Sequence, residues 1–363
     1  SLLIADQKEY IASITGLILN VVSYLAIILL VTWEQNYLLA LGIGTVTEVV
    51  LNIWISWYVE QKYPFLRQRR KEKSTSSLTK RIVRDLKSLF ISRISEKMLY
   101  CTDNLIISGF IGVGTVGRYA NYCMITQAIS NILTILANTI QPTVGDYFTE
   151  KNRQRNYEIL RQLTFGFFCI ASVVSVGLFS LITPFVRDIW LGPSYELGWG
   201  ITVFCIVVLL VRIMGLPLSL VMGVTGLFEK EKNVGASSAL LNLIVSLALV
   251  KPYGMAGVLL GTLLSYLLQI LYRYIIYFRD FLEMPGEALR YAQDIGEYLA
   301  VIAGEVLLMQ KIVPLIYGAG GMLLFCVCFL LCIAIPLLLD LVIFGRGWRL
   351  QSIVTMVKGM RKA

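Results

Sequence analysis

Long apolar runs broken by short polar stretches dominate this chain. A helix that crosses a bilayer needs about 20 mostly apolar residues. On that scale ten runs qualify: Tyr10–Trp33, Tyr37–Val59, Ser88–Ile111, Arg118–Ile140, Leu163–Phe185, Gly198–Gly223, Asn233–Val250, Met255–Phe278, Glu297–Tyr317 and Ala319–Phe344. Several are rich in Val and Ile, but their length and lack of two-residue alternation predict helix. The longest interruption, Glu60–Lys87, opens on the charge run RQRRKEKSTSS. Over Leu78–Phe90 it then sets Leu78, Ile82, Val83, Leu86, Leu89 and Phe90 at helical spacing, with Lys80, Arg81, Arg84 and Lys87 on the other side. That pattern predicts a basic amphipathic helix lying in the membrane surface. The tail Gly345–Ala363 repeats it more weakly.

Composition agrees with the pattern. Hydrophobic residues make up 57% of the 363, charged residues 15%, and the mean hydropathy is +0.72. An ordinary soluble protein carries about 25% charged residues. A cytosolic enzyme, a secreted disulfide scaffold and a disordered chain are excluded; an all-α polytopic membrane protein of about ten transmembrane helices is expected. The absence of His removes the commonest general base and metal ligand. The seven Cys all fall in apolar runs, form no CxxC pair, and read as small buried hydrophobes. No catalytic residue, metal site or cofactor is expected. Gly112-Val-Gly114-Thr-Val-Gly117 fits the dinucleotide fingerprint, but it sits between two membrane spans without the strand that motif needs. It reads as a tight turn.

Charge sets the orientation. With the first span starting in the cytoplasm, 25 of the 32 Lys and Arg fall on inner loops and ends and four on outer turns; Arg93, Lys97 and Arg212 lie within spans. Cytoplasmic loops are the ones that accumulate basic residues. Trp33, Trp190 and Trp199 fall at outer ends, and Trp54, Trp57 and Trp348 at inner ends, where an amphipathic ring is most favourable. The net charge of +9 thus reflects topology and anionic lipid, not a nucleic-acid partner.

Polar residues inside spans carry the information about function, because a charge at a helix centre costs about 2.5–3.5 kcal/mol on insertion scales. The third span sets Arg93, Glu96, Lys97, Tyr100, Asp103, Asn104 and Ser108 along one side. This is either a self-neutralising cluster or the wall of a hydrated cavity whose cationic end meets an anionic headgroup. The fourth span carries a seam of Gln127, Asn131, Thr134, Asn138 and Gln141, which interhelical hydrogen bonding explains equally well. The second carries Thr45, Glu48, Asn52 and Ser56, with Glu48 a candidate proton or cation site. Arg212 lies in the sixth span, before Pro217. Gly215-Leu-Pro217 and Thr183-Pro184 mark expected kinks. In the last two spans only Glu305 and Asp340 stand out, and these spans read as a peripheral addition.

The stretch YCTDNLIISGFIGVGTVGRYANY (Tyr100–Tyr122) resembles the first C-lobe helices of bacterial polysaccharide repeat-unit flippases, within the multidrug/oligosaccharidyl-lipid/polysaccharide exporter superfamily. ADQKEYIASI (Ala5–Ile14) is similar to the start of a late N-lobe helix of that family. The resemblance implies a partial two-lobe, MATE-like bundle matching the last ten of fourteen spans, with about four N-terminal spans missing. Residues 1–60 would close the N-lobe and 61–87 would be the basic joining segment. Residues 88–280 would be a six-helix C-lobe, 281–344 two extra helices and 345–363 a basic cytoplasmic tail. It also implies transport without covalent catalysis: an undecaprenyl-pyrophosphate-linked oligosaccharide is flipped from the inner to the outer leaflet of the bacterial cytoplasmic membrane by alternating access. Implied partners are the lipid-linked oligosaccharide, membrane lipids, and polysaccharide polymerase and glycosyltransferases. By local chemistry Arg93, Lys97 and Arg212 are candidates for the phosphates or an acidic sugar, with Asn104, Gln127 and Asn131 beside them; Glu48 and Asp103 are candidates for ion coupling. A multidrug cation exporter, a peptidoglycan-precursor flippase and, more remotely, a membrane-embedded glycan polymerase are the rival readings.

The orientation can be tested in a Cys-free background. Ser194→Cys should react with a membrane-impermeant maleimide in intact cells, and Ser74→Cys only after permeabilisation. The reverse labelling would contradict it.

Overall fold

The computed structural model describes residues 9–34, 37–63, 101–148, 152–318 and 320–345. The described residues are helical, with no strand among them. They include nine helices long and apolar enough to cross a membrane. The chain is an all-α polytopic membrane protein. Of the predicted third span only residues 101–111 are described; the amphipathic segment before it and the basic tail, with Trp348, lie outside the described residues. The chain divides into two compact units, Ser1–Arg81 and Ile82–Ala363.

The first unit contains α1 (Glu9–Glu34) and α2 (Tyr37–Lys62). Gly16, early in α1, lies beside Leu51, late in α2, so the two run antiparallel. Most of their large apolar side chains, among them Leu17, Val21, Leu25, Leu29, Val46 and Ile53, are exposed and suited to lipid. Thr15, Thr32, Thr45 and Thr47 each donate to the carbonyl four residues back, at 2.9 Å. A hydroxyl satisfied by its own helix can sit in hydrocarbon. Trp54 stacks on Tyr58, whose hydroxyl and ring also meet the Lys62 ammonium.

The second unit contains α3 (described over 101–110), α4 (Val113–Tyr147), α5 (Arg153–Pro184), α6 (Trp199–Val224), α7 (Phe228–Tyr253), α8 (Met255–Ile275), α9 (Pro285–Tyr317) and α10 (Met322–Phe344). Helix α5 is its axis: 17 of its 32 residues are buried, against α6 on one side and α9 and α10 on the other. Helices α7 and α8 form the closest pair, turned by Gly254 at φ 58°. Ser238, Asn242 and Ser246 of α7, four apart and fully buried, face Gly257, Gly261 and Ser265 of α8, also four apart. Ser265 donates to the Ser238 carbonyl at 2.8 Å and Ser246 to the Val258 carbonyl at 3.2 Å. Small residues let the backbones approach, and their hydroxyls satisfy carbonyls across the contact.

Two helices run further than hydropathy predicts. Helix α5 begins at Arg153 and α9 at Pro285, where the apolar runs start only at Leu163 and Glu297. Their first turns are polar but pair with each other. Arg161 grips Asp294 in a fork, Nε to Oδ2 at 2.6 Å and Nη2 to Oδ1 at 3.0 Å. Its guanidinium also lies over the Tyr157 ring, and the Thr164 and Tyr291 hydroxyls meet at 3.0 Å. The Asn152 side chain caps α5 by accepting from the Arg155 amide.

The expected kinks divide. After Thr183-Pro184 the helix widens into a π-helical turn, Phe185–Trp190, and ends at Gly192. Helix α6 runs unbroken through Pro217, with Gly215 against Ile270. Of the three glycines at 112–117, only Gly112 makes the turn, at φ 128°; Gly114 and Gly117 lie inside α4. The reading of every Cys as buried needs correction. Cys205, Cys328 and Cys332 are buried, Cys123 and Cys169 partly so, and Cys101 and Cys326 are exposed. An apolar run says that a position is dry, and lipid keeps a helix face dry as well as protein does.

A Cβ on Gly261 would collide with the Ser246 hydroxyl, and one on Gly257 with the Leu249 carbonyl. Gly261→Val should destabilise by about 1–3 kcal/mol, the usual range for overpacking, read as a lower melting temperature in detergent. Gly177→Ala, where a Cβ meets open space, should leave it unchanged.

Candidate functional site

The largest departure from an apolar interior in this part of the second unit is the carboxylate of Asp103, on α3. Asp103 is buried, with 5% of its surface exposed. Its Oδ2 accepts from the Thr262 hydroxyl of α8 at 2.7 Å, and its Oδ1 accepts from the Asn242 Nδ2 of α7 at 3.5 Å. The same Nδ2 donates to Thr262 Oγ1 at 2.9 Å. The close α7–α8 pair places Asn242 and Thr262 side by side, and α3 delivers the acid to them. Asn242 Oδ1 is buried with no hydrogen-bond partner. Carboxylate, amide and hydroxyl oxygens on three helices are the donor set of a small hard cation.

A polar track continues from this cluster along α8. Tyr266, one turn beyond Thr262, lies under the Arg212 guanidinium of α6, 5.4 Å from ring centroid to Cζ. Gln269 Nε2 donates to the Ser238 hydroxyl at 3.0 Å. The track thus joins Asp103, Thr262, Tyr266 and Arg212 through a single helix.

The other candidates are placed differently. Arg93 and Lys97 lie outside the described residues. Asn104 follows Asp103 on α3 but is exposed, so the expected one-sided stripe separates at these two positions. Gln127 donates to Asn131 at 2.8 Å along α4, on a flank beside the buried line of Ser130, Leu133 and Ala137. Glu48 is exposed on α2 in the first unit, where its carbonyl accepts from Asn52. Asp103 and Arg212 therefore each meet α8, at Thr262 and at Tyr266 one turn further on. Asn242 and Thr262 escaped the sequence reading. Their signal was the four-residue spacing of small and polar residues in two successive spans, not any single residue.

A cavity of about 700 Å³ opens at the far end of α5, among Phe179, Arg187, Trp199, Gln310 and Tyr317. There Arg187 forks onto Asp188, which also accepts from the Tyr317 hydroxyl at 3.2 Å.

Among the described residues, helices, nine apolar spans and a buried polar cluster define a multi-pass membrane protein with ionisable groups held inside it. Residues 3–148 match the family described as polysaccharide biosynthesis protein. That stretch contains both quoted motifs whole and ends just past α4; it supports the resemblance to polysaccharide flippases and exporters. No curated protein matches the chain.

Thr262→Val removes the shorter of the two bonds to Asp103. It should cost about 1–3 kcal/mol, the penalty for leaving a buried polar group short of a partner, measured as a lower melting temperature in detergent. Thr139→Val, exposed on α4 and bonded only to its own helix, should change it little.

Proposed function

We propose that the protein is a transporter, not a catalyst, that flips an undecaprenyl-pyrophosphate-linked oligosaccharide from the inner to the outer leaflet of the bacterial cytoplasmic membrane. The match of residues 3–148 to polysaccharide biosynthesis proteins carries this reading. The lipid tail stays in the bilayer while the glycan crosses by alternating access. Arg93, Lys97 and Arg212 meet the diphosphate through charge-assisted hydrogen bonds; Asn104, Gln127 and Asn131 offer amides to the sugar hydroxyls. Asp103, with Asn242 and Thr262, holds the coupling cation, and Glu48 is a second acid for that role. Both ends of the chain face the cytoplasm, where the glycosyltransferases that build the lipid-linked unit work; the polymerase receives it on the other side.

The test is complementation with the complete gene in a host that lacks its repeat-unit flippase. Surface polysaccharide should return. Asp103→Asn and Arg212→Gln, at unchanged membrane levels, should each lower it at least about tenfold, the effect of losing roughly 1.4 kcal/mol of binding. Rescue of a peptidoglycan-flippase mutant instead, or export of cationic dyes without rescue, would overturn the proposal.

A further inference from the structure

A second set of buried acids lies away from Asp103, among α5, α9 and α10. Glu305 of α9 and Asp340 of α10 are each 3% exposed. The Ser172 hydroxyl of α5 donates to Glu305 Oε2 at 2.6 Å. Its single proton is then used. Glu305 Oε1 and both carboxylate oxygens of Asp340 are buried with no hydrogen-bond partner. Asp340 lies within electrostatic reach of Glu305 and beside Ser172.

Among the described residues the surroundings supply no positive charge. From α5 the pair meets Ser172 and the Cys169 thiol, which feels both acids. Among the described residues no Lys or Arg acts on either carboxyl. Arg161 on the same helix is committed to Asp294, and the eleven residues to Ser172 span roughly 16 Å along the axis. Between them lies a plug of rings: Phe168 stacks on Tyr298 at 4.4 Å between centroids, and Phe344 meets Phe165, Phe168 and Tyr298 edge-on. Lys311 of α9 is exposed. Two like charges buried against one helix, with no counter-charge among the described residues, disfavour both staying ionised.

We propose that Glu305 and Asp340 form a proton-binding site in the membrane, in which one carboxyl takes up a proton from the medium and donates it to an oxygen of the other. Ser172 fixes the Glu305 carboxylate through Oε2 and leaves Oε1 as the oxygen open to a proton. The site lies in the pair of helices that the sequence alone marks as peripheral. It is distinct from the Asp103 cluster and stands whether or not the substrate is a lipid-linked glycan, because it rests only on the membrane fold.

The experiment is infrared difference spectroscopy of the purified full-length protein in lipid, in an Asp103→Asn background. A protonated-carboxyl C=O band should be present in neutral buffer, shift in D2O and fade in alkaline buffer. Glu305→Gln and Asp340→Asn, each shown to be folded by helicity and gel filtration, should each remove it. If one variant does not fold, the other decides. An unchanged band in a folded variant would overturn the proposal. So would a band insensitive to pH and D2O, which marks a permanently protonated structural pair. Loss of the band on adding Na⁺ at constant pH would also overturn it, by assigning the site to a metal cation.

Discussion

Hydrocarbon offers no hydrogen bonds, and that absence governs this protein. Each polar atom inside the bilayer must be satisfied by the chain itself or cost several kcal/mol. The hydroxyls of α1 and α2 turn back on their own carbonyls. The Ser246 and Ser265 hydroxyls of α7 and α8 are satisfied across a helix contact that small residues permit. The same close contact creates a chemical site: it puts an amide and a hydroxyl within reach of a carboxylate from a third helix.

Along α5, α9 and α10 polar and apolar tiers alternate. A forked ion pair comes first, then a plug of four rings, then the two acids with their serine. The ion pair is self-sufficient, with both oxygens of Asp294 on Arg161. The acids are not, and the rings lie between them and the Arg161 guanidinium. Partner geometry separates a structural charge from one that is open to a ligand.

The spans were legible in the sequence because hydropathy is a local property. The run that becomes α8 starts at Met255 in both the sequence reading and the structure. The starts of α5 and α9 were not legible. Arg161 and Asp294 look like solvated loop charges until a partner 133 residues away joins them to a helix. Asp103 stood out on the one-sided polar stripe of the third span, and so it was found. Its partners Asn242 and Thr262 are unremarkable in type, and only the three-helix contact gives them a role. Glu305 and Asp340 were visible as odd residues in two spans, but nothing in the sequence places them against each other. Whether Arg212 contacts anything was equally hidden; an aromatic face from α8 answers it.

The stretch from Arg153 to Trp190 is 38 residues long, about 57 Å at the helical rise, against a hydrocarbon core of about 30 Å. Its polar first turns are strapped to the start of α9 by the Arg161–Asp294 fork. The two helices are thus a splinted rod that stands proud of the lipid. Unbroken α-helix from Arg153 to Pro184 carries the strapped end directly into the tier of buried rings, so the two share one rigid axis.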